Sequence, residues 1–172
     1  MQKCVKTLAD VIALAEFAHR NQYDKAGMAY IEHPKRVMSN VQAEGAMPYV
    51  QMAAALHDVT EDTPFTPAML LALGVPEAAV NIVALLDRNH SKLQYEIELA
   101  LHHKGQIPIP DFYDSPDTYY YYRIRQNPGA VQVKLADIGD NLQPWRLAYL
   151  PEATQDRLRA KYAKAIDLLT KD

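Results

Sequence analysis

The segment His57-Asp58-Val59-Thr60-Glu61-Asp62 puts four groups able to bind a metal or move a proton into six residues. It directly follows the apolar run Met52-Ala53-Ala54-Ala55-Leu56, which reads as a buried helix. A buried helix rarely ends in unpaired charge, because removing such groups from water is expensive. A cation at this end satisfies the physics. His33 and Asp137 add two more ligand types elsewhere in the chain. Two imidazoles and two carboxylates make a mixed nitrogen and oxygen donor set, suited to Mn²⁺, Zn²⁺, Fe²⁺ or Ni²⁺ and less to Ca²⁺. A divalent ion in such a site makes water nucleophilic near neutral pH and polarises a phosphoryl oxygen.

The spacing around these residues suggests helpers. Glu61 lies four residues after His57 and three after Asp58, on their face if the helix persists. It could orient or deprotonate water, with Asp62, four after Asp58, assisting. Lys134 lies three residues before Asp137 and Asn141 four after it, so both can reach a phosphate or sugar near the metal. Taken singly, each feature has a plainer reading. His33 beside Pro34 is more often a helix cap, and Glu61-Asp62 a solvated helix end. The combination carries the argument.

The elements that must position these residues are helical. Thr7 caps a helix with Leu8, Val11, Ile12, Ala15 and Ala18 inward, and residues 21–32 read as a loop. His33-Pro34 opens a second helix that stops before Gly45. Pro48 opens a third, expected to run through the acidic stretch to Thr63. Thr66-Pro67 starts a short fourth that ends at Gly74, and Pro76 starts a fifth. Ser91 to His103 is a weaker helix, and the prolines at 108 and 110, one residue apart, exclude helix after it, so a long loop or flap is expected around 91–117. Helices resume at Tyr119 and Pro128, Pro144 ends or kinks the latter, and 152–169 is a last amphipathic helix. No stretch reads as a strand. The expectation is one all-α domain over residues 1–172.

Bulk properties bound the function. The 172 residues suit one core, and a formal net charge of −3 with pI near 6.1 argues against nucleic acid or an anionic membrane as partner. The single cysteine, Cys4, fits a reducing compartment, and neither a membrane span nor a signal-peptide core is seen, so a cytoplasmic protein is expected. A homo-oligomer is left open.

The pattern resembles the HD-domain phosphohydrolases, and within them the hydrolase domain of RelA/SpoT homologues and the small stand-alone alarmone hydrolases. The matching residues are Ala18-His19, Gln22, Lys25-Ala26-Gly27, Tyr30-Ile31-Glu32-His33-Pro34, Ala54 to Thr63, Lys134 to Asn141, and Arg157 to Tyr162. The resemblance implies an all-helical bundle with one divalent metal, Mn²⁺ foremost, held by His33, His57, Asp58 and Asp137. Glu61 and Asp62 match the pair that assists water, and Lys25 and Asn141 match substrate-binding positions. The implied reaction is 3′-pyrophosphate hydrolysis of a small (p)ppGpp- or (p)ppApp-type nucleotide. Alternatives are a nucleotidase, a phosphatase of an NADPH-type dinucleotide, or a nucleotide-binding module with little turnover.

The chain departs from that pattern at three places. Asp24 stands where alarmone hydrolases carry an arginine that stacks on the base; a carboxylate cannot stack and repels phosphate. Pro144 replaces a threonine of the long enzymes and is followed by Trp145-Arg146, as in the small members. The segment 91–117 is longer than in the small members and is a candidate lid. Tyr122 of the run Tyr119-Tyr122 could line the pocket, although core is the favoured place for these rings. Arg146 could hold a phosphate or make an exposed ion pair. Trp145 reads as core or interface. His90, His102 and His103 match no metal spacing.

Overall fold

The computed structural model describes residues 5, 7–25, 27–110 and 114–171. Among them the chain is all-α: α1 (Leu8–Ala18), α2 (Glu32–Ala43), α3 (Pro48–Leu56), α4 (Val59–Asp62), α5 (Pro67–Leu73), α6 (Glu77–Leu86), α7 (Arg88–His103), α8 (Pro116–Arg125), α9 (Pro128–Asn141), α10 (Pro144–Leu147) and α11 (Glu152–Thr170). The only β feature among the described residues is an isolated antiparallel bridge between Tyr23 and Ala29, which pinches the loop before α2.

Local chemistry sets the boundaries. Thr7 and Asp10 form a capping box: Asp10 N–H donates to Thr7 Oγ1 at 3.1 Å and Thr7 N–H to Asp10 Oδ2 at 3.2 Å. Side chains of Thr66, Asp87, Ser115 and Asn127 accept from backbone N–H groups at the starts of α5, α7, α8 and α9. Gly74 ends α5 at φ 93°, where a side chain would be strained.

The core is built around α3, which packs against α1, α2, α6 and α9. Val50, Met52, Ala53, Ala54, Ala55 and Leu56 are all buried, so this helix has no solvent stripe in its last turns. Its run of alanines lets neighbouring helices come close, and burying Leu56 contributes roughly 2 kcal/mol. At the start of α9, Gly129 serves the same end. A Cβ there would lie 2.8 Å from Ile82 Cδ1 and 3.0 Å from Val50 Cγ2.

Three expectations from the sequence change. First, α3 does not continue to Thr63. It stops at Leu56, Asp58 takes φ −99° and ψ −4°, and α4 starts a new short turn. The Ala54 carbonyl, which an unbroken helix would offer to the Asp58 N–H, lies 2.8 Å from His57 Nδ1. Second, His33 is not a cap: α2 begins at Glu32, and His33 sits buried in its first turn, with Pro34 where no N–H is needed. Third, residues 91–117 are not one flap. α7 runs to His103 with Asp87 as its cap, and it packs on α8 through Tyr95 against Tyr119, ring centres 5.5 Å apart, and Tyr119 Oη donating to Glu98 at 2.8 Å. The remaining connection is residues 104–115, of which 111–113 lie outside the described residues.

Candidate metal centre and active-site cavity

His33 comes from the first turn of α2, His57 and Asp58 from the break between α3 and α4, and Asp137 from the middle of α9. Their donor atoms converge. His33 Nε2 lies 3.1 Å from Asp137 Oδ1 and 3.7 Å from Asp58 Oδ2. His57 Nε2 lies 3.1 Å from Asp58 Oδ2 and 3.8 Å from Asp137 Oδ1. Adjacent donors around a transition-metal ion with bonds of about 2.1 Å stand roughly 3 Å apart, so the separations suit one shared ion. The break at Asp58 is what brings its carboxylate into this group, since an unbroken helix would swing it away from His57.

The imidazoles are oriented from behind. His33 Nδ1 is 2.7 Å from the buried carboxylate of Asp140, and His57 Nδ1 is held by the Ala54 carbonyl. Each contact fixes the proton on Nδ1 and leaves the Nε2 lone pair pointing inward. His57 Nε2 is buried and makes no hydrogen bond, although carboxylate oxygens stand close by. A buried ring nitrogen aimed at two carboxylates and hydrogen-bonded to neither fits a metal ligand. Asp137 is braced by Lys134 Nζ, donating to Oδ2 at 2.7 Å, and by Asn141 Nδ2, donating to Oδ1 at 2.6 Å.

Titration behaviour reflects the crowding of charge. Burial opposes protonation of His57, but the negative charges of Asp58 and Asp137 outweigh it and carry the imidazole to about 9. His33 also rises: burial works against it and the carboxylates of Asp137 and Asp140 prevail. Burial works against ionisation of Asp58 and Asp137 too, yet His57 pulls the first below the usual carboxylate range, and Lys134, with His33 behind it, pulls the second.

Glu61 and Asp62 shift the other way. Burial raises both, and the charge of Asp58 raises them further. Different elements hold them. Glu61 Oε2 accepts from the backbone N–H of Arg88 at the start of α7, at 2.9 Å. Asp62 is held by the loop before α2: Gln22 Nε2 donates to its carbonyl at 2.7 Å, and Tyr30 Oη lies 3.0 Å from its Oδ2. The same hydroxyl lies 2.7 Å from Asp58 Oδ2, and His19 Nδ1 sits 2.6 Å from Gln22 Oε1.

These groups open on a cavity of about 480 Å³. Of the substrate contacts expected from sequence, Lys25, Lys134, Asn141 and Arg146 line it and Tyr122 does not. Tyr119, Tyr120 and Tyr121 are buried on α8, with Tyr120 Oη donating to the Leu86 carbonyl at 2.8 Å. Arg146 is no exposed ion pair: it is mostly buried and donates to Asp140, which also takes Arg36 Nε at 2.7 Å and Nη2 at 3.1 Å. Trp145 is not core either. It is 42 % exposed, lines the cavity and stacks under the Arg36 guanidinium at 4.9 Å. Arg88, the first residue of α7, lines the cavity, and no other described residue between 88 and 133 does.

Sequence reasoning missed Asp140, Tyr30, Arg88 and Lys161. Asp140 could have been found, since it follows Asp137 by three on one helix and an acid there has no solvent-facing reason to be buried. Arg88 carries no local signal, and Lys161 lies in the matching stretch Arg157 to Tyr162 without a role assigned to it; only packing brings both to the cavity. Among the described residues the ligand group that includes His33, His57 and Asp137 is the only one of its kind, and His90, His102 and His103 form no second site. No helix among them is long and apolar enough to cross a membrane.

The HD domain family matches residues 30–142, from just before His33 to just past Asn141. The chain belongs to the HD domain family. This HD domain is 42 % identical over 57 residues to a guanosine-3′,5′-bis(diphosphate) 3′-pyrophosphohydrolase of Haemophilus influenzae. The aligned part is 33 % of this chain and 8 % of that protein's length. Its fold is shared with a solved metazoan ortholog of SpoT, described as hydrolysing ppGpp and acting in starvation responses. The TM-score is 0.67 at 22 % identity, covering 95 % of this chain and 85 % of the other.

Proposed function

We propose that this HD domain is a metal-dependent phosphohydrolase of a small phosphorylated nucleotide, and that it removes a 3′-pyrophosphate. The carrying observation is the convergence of His33 Nε2, His57 Nε2 and the carboxylates of Asp58 and Asp137 on one point of a nucleotide-sized cavity that also presents Glu61 and Asp62. The similarity to the Haemophilus influenzae pyrophosphohydrolase and the fold shared with the SpoT ortholog support the choice of substrate class.

Those four residues would hold a divalent ion, with Mn²⁺ the proposed ion and Zn²⁺, Fe²⁺ or Ni²⁺ chemically acceptable. When bound, the ion lowers the pKa of water and polarises a phosphoryl oxygen. The chain's own residues do the rest. Glu61, held by the Arg88 N–H and raised by burial, would take a proton from the attacking water. Asp62, also raised, would return one to the leaving oxygen. Lys134 and Asn141 hold Asp137 and face the cavity, so they brace the ligand and can touch the phosphate edge.

The base would be held by flat surfaces. Tyr23, Trp145 and Tyr149 present exposed rings to the cavity, and a purine can stack there without the arginine that Asp24 replaces. Asp24 Oδ1 itself accepts from the Met28 N–H at 2.9 Å and closes the loop that carries Lys25. The test is hydrolysis of nucleoside 3′-diphosphates and 3′-monophosphates with Mn²⁺ or chelator, reading phosphate and pyrophosphate separately. Pyrophosphate should appear only with metal, and His57→Ala and Asp58→Ala should abolish it. Full turnover in either variant overturns the mechanism, and orthophosphate alone overturns the substrate class.

A further inference from the structure

The cavity carries more positive charge than its metal ligands use. Arg88 from α7, Lys134 from α9 and Lys161 from α11 all line it. Arg88 and Lys134 flank one buried ring: the guanidinium lies 4.3 Å and Lys134 Nζ 5.8 Å from the centre of Tyr120. α11, which carries Lys161, packs against both α8 and α9. Two of the three cations have carboxylate partners. Lys134 pairs with Asp137, and Arg88 donates to the exposed Asp117 and to Tyr121 Oη, each at 2.7 Å. Lys161 has no carboxylate within 4.0 Å among the described residues; its ammonium lies over the Tyr162 ring, 5.4 Å from the centre. Lys161 is exposed at the cavity rim, and partial loss of its hydration, then repulsion from Arg88 and Lys134, lower its proton affinity.

Such repulsion is relieved by an anion, and convergent cations match a phosphoryl dianion better than a carboxylate. The Arg88 guanidinium is already ordered for it, tied by Tyr121 and Asp117 and stacked on Tyr120, so little freedom is lost on binding. Lys161 lies outside the 30–142 span matched by the HD domain family, so α11 adds a cation to the cavity from beyond that span. We propose that Arg88 and Lys161 hold a second phosphoryl group of the substrate, beside the one presented to the metal ligands. The inference rests on the phosphohydrolase reading. Its two possible sources are the outer phosphate of a diphosphate chain and a separate phosphate on the sugar.

The full chain, loaded with manganese in excess over ligand, is titrated calorimetrically with orthophosphate, pyrophosphate, a nucleoside 3′-monophosphate and a nucleoside 3′,5′-bisphosphate. Manganese binding is read in the same samples from the EPR signal of the ion. Lys161→Gln should weaken one of the doubly phosphorylated ligands by roughly 10- to 100-fold, the worth of one hydrogen bond to a charged group. Its singly phosphorylated counterpart should stay within about twofold, and Lys161→Arg should restore the loss. Loss for pyrophosphate assigns the diphosphate chain; loss for the bisphosphate assigns the separate phosphate. Equal weakening of all four ligands, or none, with manganese still bound removes this subsite alone. A chain that binds no manganese overturns the subsite together with the metal reading beneath it.

Discussion

Asp140 offers the sharpest test of how the metal centre is held together. It is 2 % exposed, and its carboxylate holds His33 Nδ1, Arg36 and Arg146 at once. Asp140→Asn keeps the shape and removes the charge. An asparagine can offer one carbonyl oxygen to these donors, and its amide must face another N–H. His33 then loses the contact that fixes its tautomer, and removing such a contact typically costs roughly 10- to 100-fold in metal affinity. Breaking a fully buried ion pair costs about 3–5 kcal/mol. Arg36 and Arg146 still reach solvent, so about 2 kcal/mol is the better figure here, or about 4–8 °C in a chain of this size. The manganese dissociation constant, from chelator competition, and the melting temperature in chelator should both move. Because its partners hold Asp140 below the usual carboxylate range, its stabilisation is present above about pH 4 and is lost as the pH falls through its lowered folded value. The gap between wild type and variant should therefore be full at pH 7 and shrink in acid. Unchanged manganese affinity in a folded Asp140→Asn would refute the claim that this carboxylate orients His33.

Other expectations follow from the same geometry. In chelator, the imidazole of His57 contributes stability that is fully present below about 6.5 and lost as the pH rises through about 9, a span worth about 3 kcal/mol. Melting temperature should fall over that range, and added manganese, which takes the deprotonated ring, should reverse the trend; a flat profile in chelator would contradict the charge crowding described. Tyr30→Phe removes the hydroxyl shared by Asp58 and Asp62, and kcat should drop by roughly tenfold while KM changes little. An equal change in KM alone would place Tyr30 in substrate binding instead. Trp145→Ala should raise KM for a nucleotide and leave orthophosphate affinity unchanged, as ring stacking on the base requires.

Much of the candidate site was legible because its candidate ligands follow local rules. His57-Asp58 after an apolar run, His33 beside a proline and Asp137 between Lys134 and Asn141 are visible as charge where burial is expected. What the sequence left open was geometry set by competition. The third helix looked continuous to Thr63 because its residues all tolerate helix, and a single contact of the His57 ring with the Ala54 carbonyl accompanies its break. Residues 91–117 looked like a flap because prolines at 108 and 110 and turn residues dominate the second half, whereas Asp87 caps a helix that α8 then stabilises by packing.

Composition and periodicity by themselves determined an all-helical chain with an apolar third helix that ends in imidazole and carboxylate groups, and the resemblance joined His33 and Asp137 to them as candidate ligands. Those features depend on residue type and on separations of three or four positions, which survive without knowledge of the fold. Only the tertiary structure decided that Asp140 and not solvent backs His33, that α7 lends Glu61 a backbone N–H, that Trp145 faces the cavity, and that α11 brings Lys161 to the wall shared by Arg88 and Lys134. Each of these joins residues from different helices. A contact of that kind is fixed by how the helices pack, and no local spacing records it.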